Sequence, residues 1–291
     1  MESRLPSSQS WHYIAFYIIV FLHSSFAGES DYHFQVKPRQ DENFLTAQFS
    51  IVLPPSEPAG ILVLLPGWEG DGSHLLSDEA LTGLSRKFSL IRIACTFKNV
   101  PGKRYDDASG GSGRALQAAL HTASEHSLDP LPVMLFGHSA GGQFAFSFAG
   151  HYPKHVLGFA ASRGGIYSDA PPEAVYAIPG LFCAGGRDAE YRRDGILTLF
   201  LEGRDKDAPW AMSIEPEGDH SLGRSTELAA EFFADLILAR KADPSSRPKG
   251  MLVATPKLPA EPGLLREGDA SWLPGVRSRK LWETIHGSGA D

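Results

Sequence analysis

Residues 133–142 read Val133-Met134-Leu135-Phe136-Gly137-His138-Ser139-Ala140-Gly141-Gly142. An apolar run of strand length ends in Gly-His-Ser-Ala-Gly, and a small-residue helix start follows. A G-x-S-x-G segment between a buried strand and a helix is the pattern of a very tight turn that holds its serine in a strained backbone conformation. Side chains two residues to either side would crowd such a turn, and Gly137 and Gly141 remove those Cβ atoms. The turn lifts the Ser139 hydroxyl above the sheet edge, where the first N–H groups of the next helix also point. The plain alternative is a glycine-rich turn with an incidental serine. Partners elsewhere in the chain have to decide between the two.

Outward from this turn, strand-like and helix-like patterns alternate. Residues 32–37 and 44–53 show partial two-residue alternation, and Pro54-Pro55 ends the second run. Residues 61–65 are wholly apolar and close on Pro66-Gly67, as expected of a strand buried on both faces. Residues 77–88 have helical spacing, 90–97 read as a strand, 98–111 as a polar, glycine-rich loop and 113–126 as a helix rich in Ala and Leu. Beyond the serine, 143–150, 195–201 and 226–241 read as helices, and 156–161, 181–184 and 211–214 as strands. This alternation predicts an α/β fold, a mostly parallel sheet of about eight strands with helices on both faces. The segment between the strands at 156–161 and 181–184 is short. It leaves little room for a large cap domain and predicts an open site.

The chain has 291 residues, enough for one large domain with its own core. A hydrophobic content of 42 % is ordinary for a globular protein, and a formal net charge of −7 argues against nucleic acid as a partner. Residues 1–27 are expected to be a signal peptide. A polar start with Arg4 leads into the apolar run 11–22, and Ser25-Phe26-Ala27 puts small residues before Gly28. The apolar run is short for a membrane span, and an uncleaved N-terminal anchor is the alternative. The expectation is a secreted or periplasmic protein with no stable membrane association after cleavage. The globular domain is then expected over 28–241. After Lys241, Pro244, Pro248, Pro256, Pro259 and Pro262 break any period. Residues 242–291 therefore read as a Pro-rich extension or linker, with Trp272 and Trp282 available to anchor it. Cys95 and Cys183 end strands that are not neighbours in the expected sheet, so two free, buried thiols are predicted. No Cys/His spacing suits zinc, and neither metal nor cofactor is expected.

A serine hydroxyl attacks a carbonyl only when a base takes its proton, and the base needs an acid to orient it. The histidines after the serine are His151, His155, His220 and His286. His151 and His155 flank Tyr152-Pro153 behind the turn, and His286 lies in the extension. His220 follows the strand at 211–214, on the loop Glu215-Pro216-Glu217-Gly218-Asp219-His220. Asp188 follows the strand at 181–184 in Gly185-Gly186-Arg187-Asp188 and is the first choice for the acid. Asp194 and Glu190 are the alternatives, and Asp219 reads as a solvated loop charge. The functional groups of parallel sheets gather at these carboxyl ends. Charge developing on a carbonyl oxygen needs hydrogen-bond donors. The candidates are the N–H of Ala140 and that of Trp68, from Pro66-Gly67-Trp68-Glu69-Gly70, with Glu69 second. Trp68 can also be read as a packing residue, and His138 as support for the turn.

With Pro66-Gly67-Trp68, the turn at Ser139, Gly-Gly-Arg-Asp and Glu-Gly-Asp-His in this order, residues 32–241 resemble the α/β-hydrolase superfamily. Within it the chain is similar to secreted serine esterases of the polyhydroxybutyrate-depolymerase, feruloyl-esterase and dienelactone-hydrolase-like groups. The last group typically carries cysteine where Ser139 stands, and Pro66 stands where histidine is usual. The resemblance implies hydrolysis of a small-molecule or polymer-linked carboxylic ester through an acyl-enzyme. Ser139 would be the nucleophile, His220 the base and Asp188 its partner. A serine peptidase, an acyltransferase or a non-catalytic binding protein on the same fold are the alternatives. The presence of serine, acid and histidine together speaks against the last.

Overall fold

The wholly apolar segments become adjacent strands because each must bury both faces. The computed structural model describes residues 18–20, 29–127, 129–168, 170–244, 248–254 and 270–287. An antiparallel flank of β1 (Ile18–Val20), β2 (Ser30–Val36) and β3 (Phe44–Leu53) joins a parallel array. The array contains β4 (Gly60–Leu65), β5 (Leu90–Asn99), β6 (Val133–His138), β7 (Val156–Ser162), β8 (Gly180–Gly185) and β9 (Trp210–Glu215). The spatial order is β1-β2-β3-β5-β4-β6-β7-β8-β9. The three residues of β1 fall inside the expected leader and pair with β2. The rest of that leader, 1–17 and 21–27, lies outside the described residues.

Helices α1 (Glu79–Phe88), α2 (Ser112–Ser124), α3 (Ala140–His151), α4 (Glu190–Asp205) and α5 (Ser225–Ala242) cover both faces. Ile61, Val63 and Leu65 of β4 pack with Leu116 of α2, Phe144 of α3 and Phe200 of α4. Leu62 and Leu64 pack on the other face, with Leu84 of α1 and Phe232 of α5. Burial on both faces explains why β4 shows no polar alternation. The chain goes from β4 to β5 on one side and then to β6 on the other, which places the topological switch at the carboxyl ends of β4 and β6. Register aligns those ends: Leu65 faces Gly137, His138 faces Ser162, and Gly185 faces Glu215.

Three expectations from the sequence shift. Helix α1 starts at Glu79 rather than residue 77, because Gly72–Ser77 is a separate 3-10 turn and Asp78 caps α1 by accepting from Leu81 N–H. Helix α4 starts at Glu190 rather than 195; its first residues, Glu190-Tyr191-Arg192-Arg193-Asp194, carry no apolar period to announce it.

The third shift is in the extension. It forms a hairpin of β10 (Met251–Ala254) and β11 (Ala270–Leu273), then α6 (Val276–Gly287). Pro256, Pro259 and Pro262 lie outside the described residues. Trp282 is 6 % exposed and Trp272 packs edge-on to Phe232, so both tryptophans anchor the extension as expected. Trp272 thus seats on α5, while Trp282, Ser271 and His286 reach β9, the outer strand. Met212 N–H donates to Ser271 Oγ at 2.9 Å, Met212 O accepts from Trp282 Nε1 at 2.8 Å, and Ile214 N–H donates to His286 Nε2 at 3.2 Å. The free edge is thus closed by side chains instead of by another strand. Cys95 and Cys183 are free and buried, on strands that are not neighbours; burial pushes the Cys183 thiol up to about 12.

Candidate active site

Ser139 joins β6 to α3 with φ 54° and ψ −122°, a region that L-residues rarely occupy. The turn is closed tightly enough to exclude side chains at both flanking positions. A Cβ on Gly137 would lie 2.0 Å from the Gly141 oxygen, and one on Gly141 would lie 2.4 Å from the oxygens of Leu65 and Pro66. Ser139 N–H donates to Ser162 O at 2.7 Å, which ties the turn to the end of β7.

The loops after β8 and β9 bring two distant side chains to this serine. His220 Nε2 lies 3.0 Å from Ser139 Oγ, and His220 Nδ1 lies 2.7 Å from Asp188 Oδ2. Burial by itself would raise the Asp188 carboxyl. Hydrogen bonds from His220 and Ala189 N–H, with Arg192 close by, outweigh it and hold the group below the usual carboxylate range. An ionised Asp188 accepts a hydrogen bond from Nδ1–H, which keeps the proton on that nitrogen and leaves Nε2 free to accept from the serine hydroxyl. Asp188 is buried, whereas the His220 side chain is about a third exposed and faces the open side.

His138 supports this geometry. Its Nε2–H donates to the backbone carbonyl of His220 at 2.8 Å. Burial pushes its pKa down to about 4 against that hydrogen bond, so the ring is a neutral donor at ordinary pH. The other candidates separate cleanly. Asp194 and Glu190 stand on α4, and the carboxylate bonded to His220 is that of Asp188. Asp219 is exposed and accepts from Ser221 N–H. His155 offers its carbonyl to Val133 at the opposite end of β6, His151 ends α3, and His286 lies on the edge of β9.

The loop after β4 comes against the turn: a Cβ on Gly67 would lie 3.6 Å from Ser139 Cβ. Tyr105, fully buried and stacked on Phe97, sets its hydroxyl 3.2 and 3.1 Å from the carbonyls of Pro66 and Gly67. Glu69 accepts from Asn99 N–H at 2.9 Å, so its side chain clamps the loop from the other end. Trp68 is 53 % exposed, with its ring beside Tyr105 and the Arg104 guanidinium. The N–H groups of Trp68 and Ala140 have no hydrogen-bond partner among the described residues. A cleft of about 420 Å³ opens beside the first turn of α3, lined in part by Arg104, Asp106, Gln143, Ile166 and Tyr167. Among the described residues no large cap covers it, and the segment between β7 and β8 holds the 3-10 turn Glu173–Ala177.

Tyr105 and Arg163 escaped the sequence reading. Arg163, wholly buried, follows β7 directly. Its available signal was a lone basic residue between an apolar strand and Gly164-Gly165. Among the described residues, no group of three or more His, Cys, Asp or Glu could hold a metal ion.

The sheet order and the serine turn at the carboxyl end of β6 define the α/β-hydrolase fold. No family model matches the chain, and no curated protein does. Among solved structures it is similar to LpqC, a poly(3-hydroxybutyrate) depolymerase from Bordetella parapertussis, at 18% identity and a TM-score of 0.56, covering 72% of this chain and 90% of that one. It is similar to an S-formylglutathione hydrolase from Agrobacterium tumefaciens at 13% identity and a TM-score of 0.55, covering 75% and 98%. A hyperthermophilic esterase from Pyrobaculum calidifontis shares 12% identity with a TM-score of 0.56, covering 74% and 86%. At these identities the likeness is one of fold.

Proposed function

We propose that the protein is a serine hydrolase of carboxylic esters that works through an acyl-enzyme. One observation carries the reading: a strained serine, a histidine and an ionised aspartate stand in a continuous hydrogen-bonded line, Oγ to Nε2 at 3.0 Å and Nδ1 to Oδ2 at 2.7 Å. In this reading Ser139 Oγ attacks the ester carbonyl while His220 Nε2 takes its proton. Asp188 orients the ring and stabilises the imidazolium. The carbonyl oxygen, now negative, is received by the N–H groups of Ala140 and Trp68. His220 then protonates the departing alcohol, and a water deprotonated by the same nitrogen cleaves the acyl-enzyme. In this reading the substrate is a small-molecule or polymer-linked ester, and the cleft at Gln143, one turn of α3 beyond Ser139, would receive a part of it distant from the scissile bond. The esterases and hydrolases among the structural neighbours support the assignment.

The test is labelling by a fluorophosphonate probe, with turnover of a chain-length series of nitrophenyl esters and of feruloyl, acetyl-sugar and polyester substrates. Labelling blocked in Ser139→Ala, with ester turnover lost in the same variant, is the expected result. A wild-type protein that neither takes the probe nor cleaves any ester would overturn the reading.

For localisation we propose that residues 1–27 are a leader removed on export. Glu29, two residues past the proposed cleavage point, is held by Arg92 at 2.6 Å, which would anchor the new N-terminus. Cleavage would remove β1 and leave β2 as the edge strand. N-terminal sequencing of the exported protein should begin at Gly28; an intact Met1 start would favour the membrane anchor instead. Among the described residues, no helix is long and apolar enough to cross a membrane.

A further inference from the structure

We propose that Arg163 is a positioning residue for the Ser139–His220–Asp188 line: its buried guanidinium, paired with the half-buried Glu215, forms a clamp that fixes the loop carrying His220. The kinetic part of this inference rests on the esterase reading; the geometric part does not.

Arg163 stands where three loops meet. Its own backbone has φ 55°, and its N–H donates to Cys183 O at 2.8 Å, joining the end of β7 to β8. The residue before it, Ser162, gives its carbonyl to Ser139 N–H. Its side chain points the other way, under the loop after β9. Nε–H donates to the carbonyl of Ser221, the neighbour of His220, at 3.1 Å. Nη2 lies 3.1 Å from Glu215 Oε1. Among the described residues neither terminal nitrogen has a hydrogen-bond partner, so the Glu215 contact is ionic. Glu215 ends β9 and also accepts from Arg224 N–H at 3.0 Å, across the base of the same loop. A Cβ on Gly218 would lie 3.0 Å from Arg163 Nη2, so the guanidinium also packs against the loop backbone. One buried cation therefore reaches the beginning, middle and far side of the segment 215–221, while His138 holds it at the carbonyl of His220.

A buried guanidinium is a costly way to fill space, and an apolar side chain of similar volume often stabilises a core as well or better. What the guanidinium adds is direction: a planar donor and a fixed charge aimed at two points of one loop. Direction matters here because a catalytic base displaced by about 1 Å can lose ~10²-fold in rate. The pair Arg187–Glu217 provides an internal contrast. It ties the loop after β8 to the same loop after β9, but both side chains are mostly exposed. Exposed pairs of this kind contribute little.

The test compares Arg163→Lys, Glu215→Gln and the double variant R163M/E215Q with Glu217→Gln as control, all in the full chain. The double variant leaves no lone buried ion, so it carries the test if a single change prevents folding. Two quantities are read. The first is kcat per active site titrated by fluorophosphonate, with KM, on a nitrophenyl ester. The second is the far-downfield proton resonance of His220 Nδ1–H, assigned by its loss in His220→Ala. The clamp requires kcat per titrated site to fall by ~10-fold or more with KM within about twofold. It also requires the resonance to shift or broaden, with Glu217→Gln matching wild type in both. An unchanged resonance and unchanged kcat per titrated site overturn it, even where fewer molecules fold, because that pattern is a structural role alone. Should the wild type cleave no ester, the resonance still decides the clamp, and only the esterase reading fails.

Discussion

At its carboxyl end β9 runs into the loop that carries His220; along its outer edge the same strand meets β11 and α6. The two contacts use opposite means. The loop end is built from positive-φ backbone at Ser139 and Arg163, an ion pair on a buried guanidinium and an ionised aspartate. The edge is built from neutral groups: a serine hydroxyl, an indole N–H and an uncharged imidazole on the strand's outward peptide groups, with tryptophan packing behind them. The first arrangement stores strain and charge to hold a geometry. The second satisfies hydrogen bonds and buries apolar surface to hold the strand. One strand can thus be perturbed at one place for activity and at the other for stability.

Substitutions at the two places should separate cleanly. The largest effect belongs to the loop end: Ser139→Ala should lower kcat by ~10⁴-fold or more with a melting temperature close to wild type, and Asp188→Asn should lower kcat by ~10³–10⁴-fold. Steady-state kinetics paired with thermal melts check this, and a large loss of stability in Ser139→Ala would break the division. Trp282→Ala should show the reverse. Removing a buried tryptophan and its hydrogen bond to Met212 O should cost ~3–5 kcal/mol in urea unfolding, with kcat per titrated site unchanged. A matching fall in kcat would mean that the edge and the loop are coupled through β9.

Acid should weaken both places through different histidines. Burial lowers the pKa of His138 to about 4 and also lowers that of His286. A folded-state value below the unfolded one means that the unfolded chain binds more protons. The stabilisation is therefore complete above about pH 6.5 and is lost as pH falls toward 4, with stability rising with pH across that window. The depressed Asp188 carboxyl adds a further loss below its ordinary range. Urea midpoints at pH 7 and pH 4.5 measure the slope. His286→Gln keeps an acceptor for Ile214 N–H without titrating, so its slope should be shallower than that of wild type. The smallest effect concerns the thiols: with both cysteines buried and their pKa values raised, alkylation should be negligible in the folded protein and complete in urea.

How much of this was legible varies with the range of the interactions. The turn at Ser139 could be read because its demands fall on residues two positions away, where glycine is visible. The strands β4 to β9 could be read because burial on both faces leaves an unbroken apolar run. The start of α4 could not, since its first turn is polar, and neither could β10 and β11, whose four residues each carry too little pattern. Trp272 and Trp282 were legible as anchors, but that Trp282 reaches the edge of β9 was not, because a free strand edge has no sequence signature.

The sequence by itself determined the α/β alternation, the strained serine turn, and the placing of an acid and a histidine after later strands in the order serine, acid, histidine. Those features follow from local constraints: apolar runs, backbone crowding and short loops. Only the tertiary structure chose Asp188 over Asp194 and Glu190, because the choice depends on which carboxylate comes within 2.7 Å of a ring 32 positions away. Tertiary structure also turned His138 inward to the carbonyl of His220, buried Tyr105 beneath the loop after β4, and laid α6 on β9. The guanidinium of Arg163 came to lie beneath the His220 loop in the same way. Hydrogen bonds and ion pairs across such separations have no periodicity along the chain, so they become visible only when the sheet has brought its carboxyl ends into one row.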